Sequence, residues 1–133
     1  MTTDIASTRQ NISSGTPFEN VHGYSRAVRV GNDVHVSGTC APKEFEHSDA
    51  YVQTRAVLGI VEKALSDAGA RLEHVVRTVV YVRDMADADQ VARGHLESFD
   101  EIRPASTLVQ VSSLFRSWQR VEIEAYAKLS DSK

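Results

Sequence analysis

Apolar residues recur at every second position in five stretches of the chain and at helical spacing in two others. Valines alternate with polar residues over Ser25–Val30 and again over Asp33–Gly38, on either side of Gly31-Asn32. That pair tolerates positive φ, so the pattern predicts a two-residue hairpin. Matching Val28 and Val30 with Val34 and Val36 leaves Arg29, His35 and Ser37 on the opposite face. Gly38 ends the second strand, and Thr39–Glu46, with Pro42, reads as an irregular connection. Ser48 or Asp49 is placed to cap a helix. Its stripe is Val57, Ile60, Val61, Ala64, Leu65 and Ala68, and Gly69 stands where a helix stops.

Val75–Arg83 predicts a strand rich in β-branched residues, with Thr78, Val80 and Val82 set against Arg77, Val79 and Tyr81. Asp84 or Asp87 caps a second helix striped by Ala88, Val91, Ala92, His95 and Phe99. Arg103-Pro104 closes it, because proline disfavours helix in the residue before it. Two strands joined by a loop follow. Thr107, Val109 and Val111 alternate with Leu108 and Gln110, and then Val121, Ile123, Ala125 and Ala127 alternate with Arg120, Glu122, Glu124 and Tyr126. The order β-β-α-β-α-β-β predicts one α+β domain over residues 1–133 with both helices on one face of the sheet. Arg29, His35, Ser37, Gln110, Glu122 and Glu124 fall on the other face, which meets either water or further copies of the chain. Residues 1–16, rich in Ser, Thr and Asn, form a mobile tail or a strand that orders late.

Composition removes several function classes. A formal charge of −3 over 133 residues gives no electrostatic footprint for nucleic acid or an anionic membrane. No run approaches the roughly 18–20 apolar residues that span a bilayer, and Met1–Gly15 has no apolar signal-peptide core. The one cysteine, Cys40, excludes an intrachain disulfide framework. These features predict a soluble, cytoplasmic chain.

Glu122 and Glu124, two residues apart on a strand, project to the same side, which is solvent, an interface or a site. The five histidines (His22, His35, His47, His74 and His95) match no zinc spacing, so no metal is expected. His95, on an apolar stripe, reads as a hydrogen-bonded core or interface residue. Nothing beside Cys40 lowers its pKa, so it reads as a bystander thiol. A polar site lined by Ser37, Gly38, Thr39, Ser106, Thr107 and Glu122 is compatible with these positions, but its chemistry is not determined by them.

Several motifs resemble the Rid family, or YjgF-type family, of enamine/imine deaminases. They are Gly23-Tyr24-Ser25-Arg26-Ala27-Val28, Val30-Gly31-Asn32, Val36-Ser37-Gly38, Ala68-Gly69-Ala70, Val75-Val76-Arg77-Thr78, Arg103-Pro104-Ala105 and Val121-Glu122-Ile123-Glu124-Ala125. The resemblance implies a chorismate-mutase-like fold, a homotrimer with sites in the clefts between subunits, and no cofactor. It implies hydrolysis of a small reactive imine or enamine, in which Glu122 orients water, Tyr24 closes the pocket and the Ser37-Gly38-Thr39 strand end completes it. Thr107 and the Thr39 backbone N–H would hold developing charge. Where the family carries a carboxylate-gripping arginine after Pro-Ala, this chain has Ser106, which offers one donor and no charge. Ala92 replaces a family asparagine, and the Leu114–Gln119 loop is one residue longer. The chain is thus similar to a branch lacking the arginine. Arg29, Arg103 or Arg116 would supply a displaced grip, with Phe115 or Trp118 lining a larger cavity. The alternative is a non-catalytic small-molecule-binding trimer, a sensor or scavenger.

Overall fold

The computed structural model describes residues 8–130. The strands are β1 (Arg9–Ile12), β2 (Ala27–Val30), β3 (Asp33–Thr39), β4 (Val75–Val82), β5 (Ala105–Gln110) and β6 (Val121–Lys128). They make one sheet in the order β1-β2-β3-β6-β4-β5. The helices are α1 (Phe18–His22), α2 (Ala50–Asp67) and α3 (Ala88–Phe99). Asp49 caps α2 by accepting from the Val52 N–H, and Gly69, at φ 83°, turns the chain beyond its end. The fold is α+β, with its core between α2, α3 and one face of the sheet. Val34, Val36, Val80, Val82, Val121, Ile123 and Ala125 meet Val57, Leu58, Val61, Leu65, Val91 and Phe99 there. The helices approach closely at Gly94, where a β-carbon would stand 2.8 Å from Thr54 Cγ2.

β1 and α1 add to the expected order. Residues 9–12 of the N-terminal segment pair with β2, and residues 1–7 lie outside the described residues. Hairpin register differs by one position from the sequence reading. Val30 pairs with Asp33, Arg29 with Val34, Val28 with His35 and Ala27 with Val36. A one-residue shift exchanges faces, so Ala27 and Arg29 join Val34 and Val36 on the helix side, whereas Val28 and Val30 stand with His35. Arg29 donates to Ala68 O at 2.8 Å, beyond the end of α2, where a cation suits the helix dipole.

Gln110 also leaves the open face. It pairs with buried Val82 and accepts from Met85 N at 2.7 Å, on the approach to α3. The two strands of the 103–127 stretch are not sheet neighbours. β5 runs parallel to β4, which lies between it and β6, and α3 is the crossover that a parallel pair requires.

Candidate functional site

The pairing of β3 with β6 slips between Val36–Ala125 and Thr39–Ile123, leaving a bulge at Ser37-Gly38. Glu122, next on β6, lays its carboxylate across Gly38 so closely that a β-carbon there would overlap Oε2. Only glycine leaves that room. Cys40 Sγ donates to Glu122 Oε1 at 3.4 Å. Burial first, and then the Glu122 charge, push the Cys40 thiol far above its usual range. Cys40 is therefore a protonated hydrogen-bond donor that orients Glu122.

Period two places Tyr24 and Arg26 on one side of the extended chain entering β2. Arg26 is 8% exposed. Its Nη1 donates to Gly38 O at 2.8 Å and Thr39 Oγ1 at 2.7 Å, and its Nη2 donates to Tyr24 Oη at 3.0 Å. Because the Tyr24 oxygen accepts from a guanidinium, its own proton is directed elsewhere. These groups lie in a groove of about 1510 Å³ bounded by α2, the 12–18 segment, the end of β3 and the 115–119 loop. Phe18, His22 and Phe115 form its aromatic mouth. Phe18 and Phe115 meet edge to face at 5.4 Å, and the Arg116 guanidinium lies 4.7 Å from the Phe115 centroid.

Buried Gln53 of α2 positions the loop. Its amide donates to Trp118 O at 3.1 Å and to Phe45 O at 3.3 Å, and its carbonyl accepts from Arg120 N at 2.9 Å. On the other wall, buried Glu19 of α1 ties down the incoming segment by accepting from the Ser14 hydroxyl and backbone N–H. Burial pushes the Glu19 carboxyl up, but those bonds, Ser13 and the Arg26 charge outweigh it and hold the group below its ordinary 4.5. Its contribution to stability is complete above the ordinary value and is lost as pH falls through the depressed folded value. Glu19→Gln is expected to weaken the fold at pH 7 and flatten the acid side of its stability profile. Urea unfolding between pH 7 and 3 checks this, and parallel profiles for the two proteins contradict it.

Of the residues singled out in the sequence, Tyr24, Gly38, Thr39, Arg116, Trp118 and Glu122 line the groove. Thr39 has committed its hydroxyl, which accepts from Arg26 and donates to Ser37 O. The other four stand apart from the groove within one chain. Ser37 Oγ donates to Ser25 O at 2.7 Å. Ser106 faces the helix side, where Thr78 Oγ1 donates to it at 2.7 Å. Thr107 meets Arg77 on the opposite face, and exposed Arg103 pairs with Asp100 at 2.6 Å. Among the displaced-grip candidates only Arg116 reaches the groove. Arg26 does too, and the sequence reading left it unassigned, although its i, i+2 spacing from Tyr24 was a usable signal.

Glu124 serves the open sheet face. Tyr81 donates to it at 2.7 Å and Tyr126 donates to its other oxygen. The bond to Glu124, with burial second, pushes the Tyr81 phenol up to about 12. Glu122 also borders a smaller hollow of about 560 Å³ beside Tyr81 and Glu124. His95 Nε2 lies 2.9 Å from Thr78 Oγ1, and burial lowers its pKa, favouring a neutral, hydrogen-bonded imidazole. Among the described residues no cluster of His, Cys, Asp and Glu is arranged to hold a metal ion. No helix among them is long and apolar enough to cross a membrane.

The Endoribonuclease L-PSP family profile matches residues 15–129. Protein SCO2049 of Streptomyces coelicolor is 38% identical over 128 residues, covering 92% of this chain and 96% of that protein. The 3-aminoacrylate deaminase RutC of Acinetobacter baylyi is 37% identical over 92 residues, covering 66% of this chain and 73% of the relative. Rv2704 of Mycobacterium tuberculosis, a member of the YjgF/YER057c/UK114 family, superposes with a TM-score of 0.86. It is 43% identical, over 91% of this chain and 99% of that one.

Proposed function

The chain belongs to the endoribonuclease L-PSP family, the Rid or YjgF family, and from that premise we propose that it hydrolyses a small reactive imine or enamine in the groove. The observation that carries this reading is the Glu122 carboxylate, held over Gly38 by Cys40 and facing the groove shared with Tyr24 and Arg26. A water that donates a hydrogen bond to Glu122 adds through oxygen to the C=N carbon, leaving its proton on the carboxylate, and the π pair takes a proton at nitrogen from Tyr24. Glu122 returns its proton to the amine of the carbinolamine, which leaves as ammonia while the hydroxyl gives its proton back to Tyr24 and the C=O bond forms. An enamine enters the same sequence after protonation at carbon. Tyr24, its oxygen engaged by Arg26, donates its proton to the reacting group. The named activity of the Acinetobacter relative supports the reaction class.

The test is ammonia release from freshly generated imines of several amino acids. Wild type is expected to exceed the spontaneous rate and Glu122→Ala to match it; equal rates for both proteins overturn the hydrolase reading. A second reading, non-catalytic binding in the same groove, is favoured by the uncharged Ser106. It predicts thermal-shift ligands without turnover, a ligand at 100 times its Kd adding about 2.7 kcal/mol.

We further propose a homotrimer in which neighbouring copies cover the open sheet face. Within one chain Arg103, Ser106 and Thr107 stand away from the groove, so they serve a ligand only from an adjacent copy. Light scattering on the eluting protein is expected to give three times 14.7 kDa. A monomer mass at micromolar concentration contradicts it.

A further inference from the structure

We propose that Arg26 is the residue with which the groove grips a carboxylate of its ligand. The inference rests on reading the groove as the ligand site and assigns the gripping atoms within it. A guanidinium carries five N–H donors. Three are engaged by Gly38 O, Thr39 Oγ1 and Tyr24 Oη, all uncharged acceptors. No carboxylate lies within ion-pair distance of Arg26 among the described residues, and the Glu19 carboxyl is coupled to its buried charge only at longer range.

The two remaining donors are Nε–H and the second Nη2–H. Two charged N–H donors are enough to hold a carboxylate by charge-assisted hydrogen bonds. Among the described residues Nε has no hydrogen-bond partner, yet no side-chain nitrogen or oxygen among them is both fully buried and unpaired. Nε is therefore reached by solvent, and the solvent beside Arg26 is that of the groove. The surroundings agree in sign. Arg26, Lys43, Lys63 and Arg116 line the groove against Asp67 and Glu122, and Lys63 with Asp67 form a pair of their own at 3.2 Å. Arg116 is the rival grip, but it is exposed on the loop and stacked on two phenyl rings. Water screens its charge, whereas a desolvated, prepositioned guanidinium binds an anion more strongly. Bound to Arg26, a 2-oxo or 2-imino acid presents its adjacent carbon between Tyr24 and Glu122.

The experiment titrates the 15N-labelled full-length protein with 2-oxobutanoate and, separately, with neutral 2-oxobutanamide, following arginine Nε–H resonances by NMR. The Arg26 signal is identified as the one lost in Arg26→Lys. The expected result is a saturable shift of that signal with the acid and little with the amide. Arg26→Gln raises the Kd at least tenfold, and Arg116→Gln changes it less than twofold. An unmoved Arg26 signal in wild type, an equal response to the amide, or a loss confined to Arg116→Gln overturns the assignment. The wild-type measurement stands even if Arg26→Gln folds poorly. Glu122-dependent ammonia release with an unmoved Arg26 signal sinks this inference alone. A shifted signal without ammonia release upholds it and sinks the hydrolase reading.

Discussion

Replacing Glu122 with glutamine is expected to lower imine hydrolysis by about 10²–10⁴-fold, the usual contribution of a positioned general base, while thermal stability stays close to wild type. Glutamine keeps the length and an acceptor for Cys40 Sγ, so the half-buried side chain loses little packing. What disappears is the charge that draws a proton from attacking water. Gly38→Ala is the companion test. Its methyl group would occupy the place of Oε2, and because that atom ends a flexible side chain, the carboxylate swings away instead of the backbone breaking. The same loss of rate then arises from displacement, with the group still present. The measurement is kcat/KM on preformed imine, with circular dichroism to confirm folding. Full activity in Gly38→Ala would mean that the seat of the carboxylate over residue 38 is irrelevant to the chemistry.

The largest expected loss of stability is at Gln53. Leucine of similar volume keeps the space filled but removes the bonds to Trp118 O, Phe45 O and Arg120 N. Backbone groups left without partners in a buried setting cost roughly 1–3 kcal/mol each. With partial relief by water near the loop, Gln53→Leu is expected to lower unfolding free energy by about 3 kcal/mol. Urea titration gives the value from the midpoint at constant slope. The sole tryptophan, Trp118, sits on the released loop, so its emission is expected to move to longer wavelength in the folded variant. A midpoint unchanged from wild type would show that Gln53 fills space and no more.

Much of the architecture was legible in the chain because local periodicity carried it. α2 follows from its stripe, with Asp49 and Gly69 as its ends, and β6 from strict alternation with Val121, Ile123, Ala125 and Ala127 inward. What failed was relational. Valines occupy both faces of the hairpin, so hydrophobicity alone did not set its register; the two-residue turn did. Gly94 is buried against Thr54 of the other helix, which no stripe of one helix records. At the site, the sequence puts Glu122 and Gly38 in one polar lining, but their direct contact depends on a bulge, a property of two strands together. Arg26 is not legible as a site residue because a charge at the start of a strand ordinarily means solvent. Three acceptors from Tyr24, Gly38 and Thr39 are what make its burial tolerable.

The bond from Cys40 to Glu122 has a consequence for self-damage. Electrophiles that accept water at carbon also accept sulfur, and a thiolate attacks far faster than a thiol. The only sulfhydryl of the chain borders the groove. Because burial and the neighbouring carboxylate keep it protonated, it is a poor trap, and under the proposed chemistry an electrophile passing Glu122 would leave it unalkylated.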